Sequence, residues 1–213
     1  MPRLTRKEKQ AHTRTCLMKS AARVFATRGL QQASIDEVAE DAGFTKGAFY
    51  ANFKNKEELF LAMLDERFGS RIGQIEAVIA SEGTSAAKAR QAGDDFAEMI
   101  AADPEWERLF FEFSAYAARN EDFREELVTR YRSMQDRIAR AFEARLEKVG
   151  MPPPLPVGQV AMMTCIMGNG FALEKLLEGD TVADDLYGTM LTVFFAGLEA
   201  IADARAETDA AAV

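Results

Sequence analysis

Three helix starts are packed into residues 34–60, and that density restricts this part of the chain to short helices turning on one another. Ser34 followed by Glu37 is a capping-box pattern, in which each side chain can satisfy the other residue's backbone N–H. Behind that cap, Ile35, Val38, Ala39 and Ala42 fall at i, i+3, i+4 and i+7, the apolar face of a two-turn helix. Gly43 ends it, because glycine accepts the left-handed conformation of a helix-terminating turn. Thr45 can cap a second short helix through Tyr50, with Phe49 and Phe53 on its buried side. Asn55 caps a third, with Glu58 at its N3 position. Two short helices joined by a glycine-containing turn make a helix-turn-helix, whose second helix would enter a DNA major groove.

Charge is divided to match. The whole chain carries −8, which by itself argues against a nucleic-acid partner. Residues 1–60, however, hold eleven Lys/Arg against seven Asp/Glu, and residues 61–213 hold fifteen against twenty-seven. A basic segment on an acidic body fits phosphate binding by one end only. Cys16 and Cys165 stand far apart with no CxxC, and His12 is the only histidine, so neither a metal nor a cofactor is expected. The basic N-terminus has no apolar run behind it and does not read as a signal peptide. Val149 to Leu173 is uncharged, but four prolines and four glycines interrupt it, which speaks against a membrane span. A cytoplasmic protein with reduced thiols is expected.

The rest of the chain reads as helices throughout, nine in all, giving an all-α fold. Residues 1–9 are expected as a flexible basic arm, followed by a first helix from about Gln10 to Arg28 that stops at Gly29. A fourth helix from Lys56 to about Ala80 carries Phe60, Leu64, Phe68, Ile72, Ile75 and Ile79 at spacings of three and four, and spans ~37 Å. The sixth, opened by Pro104, is apolar round well over half its circumference, with Arg108, Glu112, Ala115 and Arg119 as a narrow polar strip; it is expected at the centre of the second domain. A seventh helix, a proline-rich connection and two further helices follow, with a frayed tail from Arg205.

The run from Ser34 through Gly43, then Thr45 to Tyr50, Phe53 to Lys56 and Glu58, resembles the DNA-binding domain of TetR-type repressors. The resemblance implies a helix-turn-helix domain over 10–70, with the motif at about 34–53, and a larger helical ligand-binding and dimerisation domain over 71–205. It places Lys46 and Gly47, with Ala51 and Asn52, at positions that meet base edges. Lys can donate to guanine and Asn can pair with adenine; Ala51 offers at most contact with a thymine methyl. Tyr50, Lys54 and Lys56 are the phosphate candidates, joined by the Ser34 and Thr45 hydroxyls. One such domain makes few contacts, so a homodimer on a palindromic operator of double-stranded DNA is expected, its recognition helices roughly 34–36 Å apart. Family architecture dimerises through the last two helices. There Gly168 and Gly188 permit close approach, and Leu191, Phe194, Phe195 and Leu198 supply apolar area.

For an effector, Trp106, Phe110, Phe113, Met134, Met162, Met163, Met167 and Phe171 concentrate in the acidic part. Flexible methionines and flat aromatics suit an adaptable apolar pocket, and equally an ordinary helical core. No cation for a carboxylate stands out, so a neutral, lipophilic small molecule is expected; a cationic one could use Glu112 or Glu174. The expected function is a repressor released by that ligand. The alternative is a constitutive or architectural DNA-binding dimer. No GxSxG, phosphate loop or metal-spaced carboxylate set points to an enzyme.

Overall fold

A computed structural model describes residues 5–211, and these form nine α-helices and one 3-10 turn, with no strand among the described residues. They divide into two compact units. The first takes the chain up to Phe68 together with Glu105–Arg130, and the second takes Gly69–Pro104 with the chain from Tyr131 onward.

In the first unit, α1 (Arg6–Gln32) begins earlier than expected. Thr5 caps it: its hydroxyl accepts from the Glu8 N–H, and Glu8 accepts from the Thr5 N–H. Residues 6–9 are therefore helical, whereas residues 1–4 of the expected arm lie outside the described residues. Gly29 breaks the helix at φ 74°, ψ 163°, a conformation that disfavours any residue with a side chain. Then come α2 (Ile35–Asp41), α3 (Lys46–Tyr50) and α4 (Lys56–Ala80), whose first half belongs to this unit. Leu17, Ala21 and Phe25 from α1 are buried with Val38, Phe49, Phe53, Leu59, Phe60 and Leu64. Fully burying each large apolar side chain is worth roughly 1.5–3 kcal/mol. Buried Ser20 donates to the Val38 carbonyl at 2.7 Å, tying α1 to α2.

Helix α6 (Pro104–Ala117) and the first part of α7 (Glu121–Val149) complete this unit, which corrects the expected placement of α6. Phe113 stacks on Phe60 with centroids 3.6 Å apart and meets Phe25 edge-on at 5.9 Å; Trp106 also stacks on Phe60, at 5.8 Å. The apolar circumference of α6 correctly foretold burial. It could not say against which helices, since periodicity reports how much of a helix is covered and not by what.

The second unit holds the remainder of α4 and α7 with α5 (Ser85–Ala102), α8 (Val157–Glu178), a 3-10 turn (Gly179–Thr181) and α9 (Leu186–Ala211). The expected frayed tail is helical through Ala211. Helices α5 and α9 are in close contact at Gly93 and Gly188. Phe96, Phe171 and Tyr187 make an aromatic cluster, with ring centroids 5.1–6.1 Å apart. Arg137 binds Glu76 through two hydrogen bonds of 3.1 and 2.8 Å, joining α7 to the tail of α4.

Candidate nucleic-acid interface

The head's local geometry follows its caps. The Ser34 hydroxyl accepts from the Glu37 N–H at 3.1 Å, and Glu37 accepts from the Ser34 N–H at 2.9 Å. These bonds hold the Glu37 carboxyl below its ordinary range, the Ser34 backbone contributing most. Gly43 turns the chain at φ 75°, and Thr45 accepts from the Ala48 N–H to start α3. Asn55 accepts from the Glu58 N–H at 2.8 Å, while Glu58 reaches back to the Lys54 N–H at 2.7 Å.

Helix α3 has only five residues, too few to persist alone, so tertiary packing must hold it. Phe49 is fully buried against Phe53, which leaves Lys46, Gly47, Tyr50 and Ala51 on the exposed side. Tyr50 is 52% exposed although its ring rests edge-on against Phe49. A side chain at Gly47 would meet nothing closer than the Thr45 hydroxyl at 3.7 Å, so the approach there is open. Lys46 pairs with Asp36 at 2.9 Å, and that bond raises its pKa. Both partners are more than half exposed, so the pair is weak and a phosphate or base edge can displace it. Lys54 is exposed at the end of the motif. Thr45 uses its oxygen as a cap and keeps its proton for an acceptor outside.

Three expected contacts have other employment. Lys56 donates to the carbonyls of Leu30 at 2.7 Å and Ala33 at 2.8 Å, securing the stretch after the Gly29 break, which corrects its reading as an ordinary phosphate cation. Asn52 folds back so that its side-chain amide donates to the Ala48 carbonyl, and the side-chain oxygen Oδ1 is buried without a partner. It does not stand as an open adenine reader. The Ser34 hydroxyl donates to Glu37 at 3.0 Å. Arg14 escaped the sequence reading: it donates to the Asn52 backbone carbonyl at 3.0 Å and lies 4.2 Å over the Phe53 ring, bracing the end of α3 from α1. Nothing local in the sequence signals a contact between residues so far apart.

The expected ligand-lining set is split between the units. Trp106, Phe110 and Phe113 are buried in the first, where Phe113 is core between Phe60 and Phe25. Met134 and Phe171 are buried in the second, Met167 is half-buried there, and Met162 and Met163 are exposed. Glu112 accepts the Leu30 N–H at 2.6 Å inside the first unit, so it is not a waiting partner for a cationic ligand.

The expected interface set also needs correction. Gly188 lies against the α5 backbone at Ala89 and Arg90, and Gly168 faces Arg71, Tyr187 and Phe96. Leu191 and Leu198 are buried within their own unit, Phe195 meets Phe142, and Phe194 is half-buried. What α8 and α9 expose is a different stripe: Met162, Ile166, Leu173 and Leu177 on one helix, Leu186, Val193 and Ile201 on the other.

Comparison with known proteins divides the chain along the sequence, not by these compact units. Residues 17–63 match the profile of bacterial regulatory proteins of the tetR family, and residues 85–200, more than half the chain, match the C-terminal domain of BetI-type transcriptional repressors. An uncharacterized HTH-type transcriptional regulator of Bacillus subtilis, YfiR, is 23% identical over 189 residues, covering 86% of this chain and 89% of that one. The regulator TtgR of Pseudomonas putida is 43% identical over 65 residues, 30% of each chain. With two other curated regulators the match covers less than half of their length. Among solved structures, the regulator FadR of Bacillus subtilis in complex with stearoyl-CoA superposes with a TM-score of 0.69 at 16% identity, over 84% of this chain and 95% of that one.

Proposed function

The chain belongs to the TetR family of transcriptional regulators, and from that membership we propose that it works as a homodimeric repressor, released from a palindromic operator by a small lipophilic ligand. It is a DNA-binding regulator of transcription and not an enzyme. The observation that carries the reading is the outer side of α3: Lys46, Gly47, Tyr50 and Ala51 exposed together on a helix pinned by buried Phe49. Thr45 and Lys54 extend that side with a donor and a cation for phosphates. Lys46 is then the principal direct reader. With so few side chains able to reach base edges, part of the sequence preference comes from DNA shape.

The second copy docks on the exposed stripe of α8 and α9. Ile166 is 61% exposed, Leu177 70% and Val193 69%, large apolar side chains left uncovered on two neighbouring helices, which marks an interface. Both helices are also long and apolar enough to cross a membrane, over Val157–Thr181 and Leu186–Arg205. Family membership favours the dimer, which covers the same surface without a bilayer, in the cytoplasm where the operator is.

The effector reading is supported by the apolar composition of the second unit around Met134, Met167 and Phe171, and at the level of fold by the stearoyl-CoA complex of FadR. Helix α4 contributes to both units and is the natural carrier of a change from ligand to DNA. A ligand can lower operator affinity only as far as it binds the two dimer shapes differently.

The test combines mass and release. Sedimentation of the wild type should give a dimer, and Ile166→Asp with Val193→Asp a monomer with greatly weakened operator binding. A library of lipophilic compounds, screened by thermal shift and then by operator release, should yield at least one that does both. A monomeric wild type refutes the dimer. A complete failure of release leaves the constitutive DNA-binding dimer as the better reading.

A further inference from the structure

Arg71 lies on the part of α4 that belongs to the second unit, and its guanidinium sits 3.5 Å from the centroid of the Phe96 ring. Next to it is Gly168. A Cβ at Gly168 would stand 3.2 Å from Arg71 Nη2, 3.2 Å from the Tyr187 hydroxyl and 3.4 Å from Phe96 Cε1, so a bare backbone at this position leaves the guanidinium its place. Tyr187 donates its proton to the Thr164 carbonyl at 3.0 Å and so offers its neighbours only an oxygen lone pair. Its ring stacks on Phe171 and meets Phe96 edge-on. Arg71 thus has an aromatic ring and a neutral hydroxyl acceptor as neighbours.

Among the described residues no carboxylate forms an ion pair with Arg71. The contrast within the same unit is plain, since Arg137 is held by both oxygens of Glu76. Half-buried beside the Phe96 ring and the Tyr187 hydroxyl, this cation has a π face and a neutral acceptor but no paired carboxylate. A guanidinium presents its N–H groups in one plane, as a fork that suits a carboxylate. The residues that would hold the remainder of such a molecule, Phe96 and Phe171, are apolar and lie buried in the interior of the unit.

We propose that Arg71 is the headgroup anchor of the ligand domain and that the effector is an amphiphilic carboxylic acid, its acid group on the guanidinium and its apolar body against the aromatic cluster. This rests on the reading of a lipophilic effector given above, and narrows it from neutral to anionic. The cation was not evident in the sequence because Arg71 stands on an amphipathic helix like any solvated arginine.

Calorimetric titration of the full-length protein with decanoate and with decan-1-ol separates the two claims. These probes share their chain and differ only in the headgroup. The wild type should bind decanoate at least about tenfold more tightly, the order expected for a charge-assisted pair. Arg71→Met should abolish that preference while leaving the affinity for decan-1-ol unchanged, which also reports an intact fold. Equal affinities in the wild type, or a preference surviving in Arg71→Met, would overturn the anchor while the lipophilic effector stands. Binding of neither probe would overturn both.

Discussion

Lys56 places its ammonium on the carbonyls of Leu30 and Ala33, whereas Lys54, two positions earlier, points from an exposed site at the end of the motif. Two lysines of one short run are therefore placed differently, one bound to backbone carbonyls and one left exposed, where the proposed function has it meet phosphates. Lys56→Met leaves two part-buried carbonyls short of a donor and should cost about 1–3 kcal/mol in urea denaturation. In the folded fraction it should leave the salt dependence of DNA binding unchanged. Lys54→Ala should do the reverse: stability within about 0.5 kcal/mol of wild type, and a log–log salt slope shallower by about 0.9. A flattened slope in Lys56→Met would return that residue to the DNA contacts. Glu37 gives a second prediction. Its folded pKa lies below the ordinary 4.5, chiefly through the Ser34 N–H, so the stabilisation it supplies is present above that value. It is lost as pH falls through the lower folded pKa. The thermal midpoint should fall on acidification below about pH 4.5. It should fall less in Glu37→Gln, which does not titrate.

Among the elements, the crossing of α5 and α9 is the least forgiving. A Cβ at Gly93 would overlap the Gly188 Cα and N, backbone atoms with no rotamer to move, so the helices would have to separate. Gly93→Ala should destabilise the protein by roughly 3 kcal/mol, overpacking outweighing alanine's better helix propensity. Calorimetry should show a midpoint lower by several degrees, and an unchanged midpoint would mean that the crossing relaxes freely. The same scale explains what the sequence revealed. The starts of α2, α3 and α4 were legible to the residue, because a cap is a contract between residues three or four apart: Ser34 with Glu37, Thr45 with Ala48, Asn55 with Glu58. The partners of α6 were not legible. Its rings meet Phe25 and Phe60, residues dozens of positions away, and an apolar circumference carries no address. For the same reason Gly188 reads in the sequence as a place for any close helix, and its neighbour proves to be α5.

At the scale of the whole molecule, a basic head is joined in sequence to an acidic remainder, and the family membership gives that division its purpose. The exposed side of α3 was legible in outline, since Phe49 and Phe53 had to be inward and Tyr50 outward. Which polar side chains remain open was not, because Asn52 and Lys56 are engaged by backbone carbonyls that only the fold brings near. The central claim is that paired copies of this head read duplex DNA. Selection of bound sequences from a random duplex pool by the full-length protein tests it most directly. The account predicts an enriched inverted repeat whose half-sites are centred about one helical turn apart, roughly 34–36 Å. A single unpaired half-site, or no enrichment at all, would contradict it.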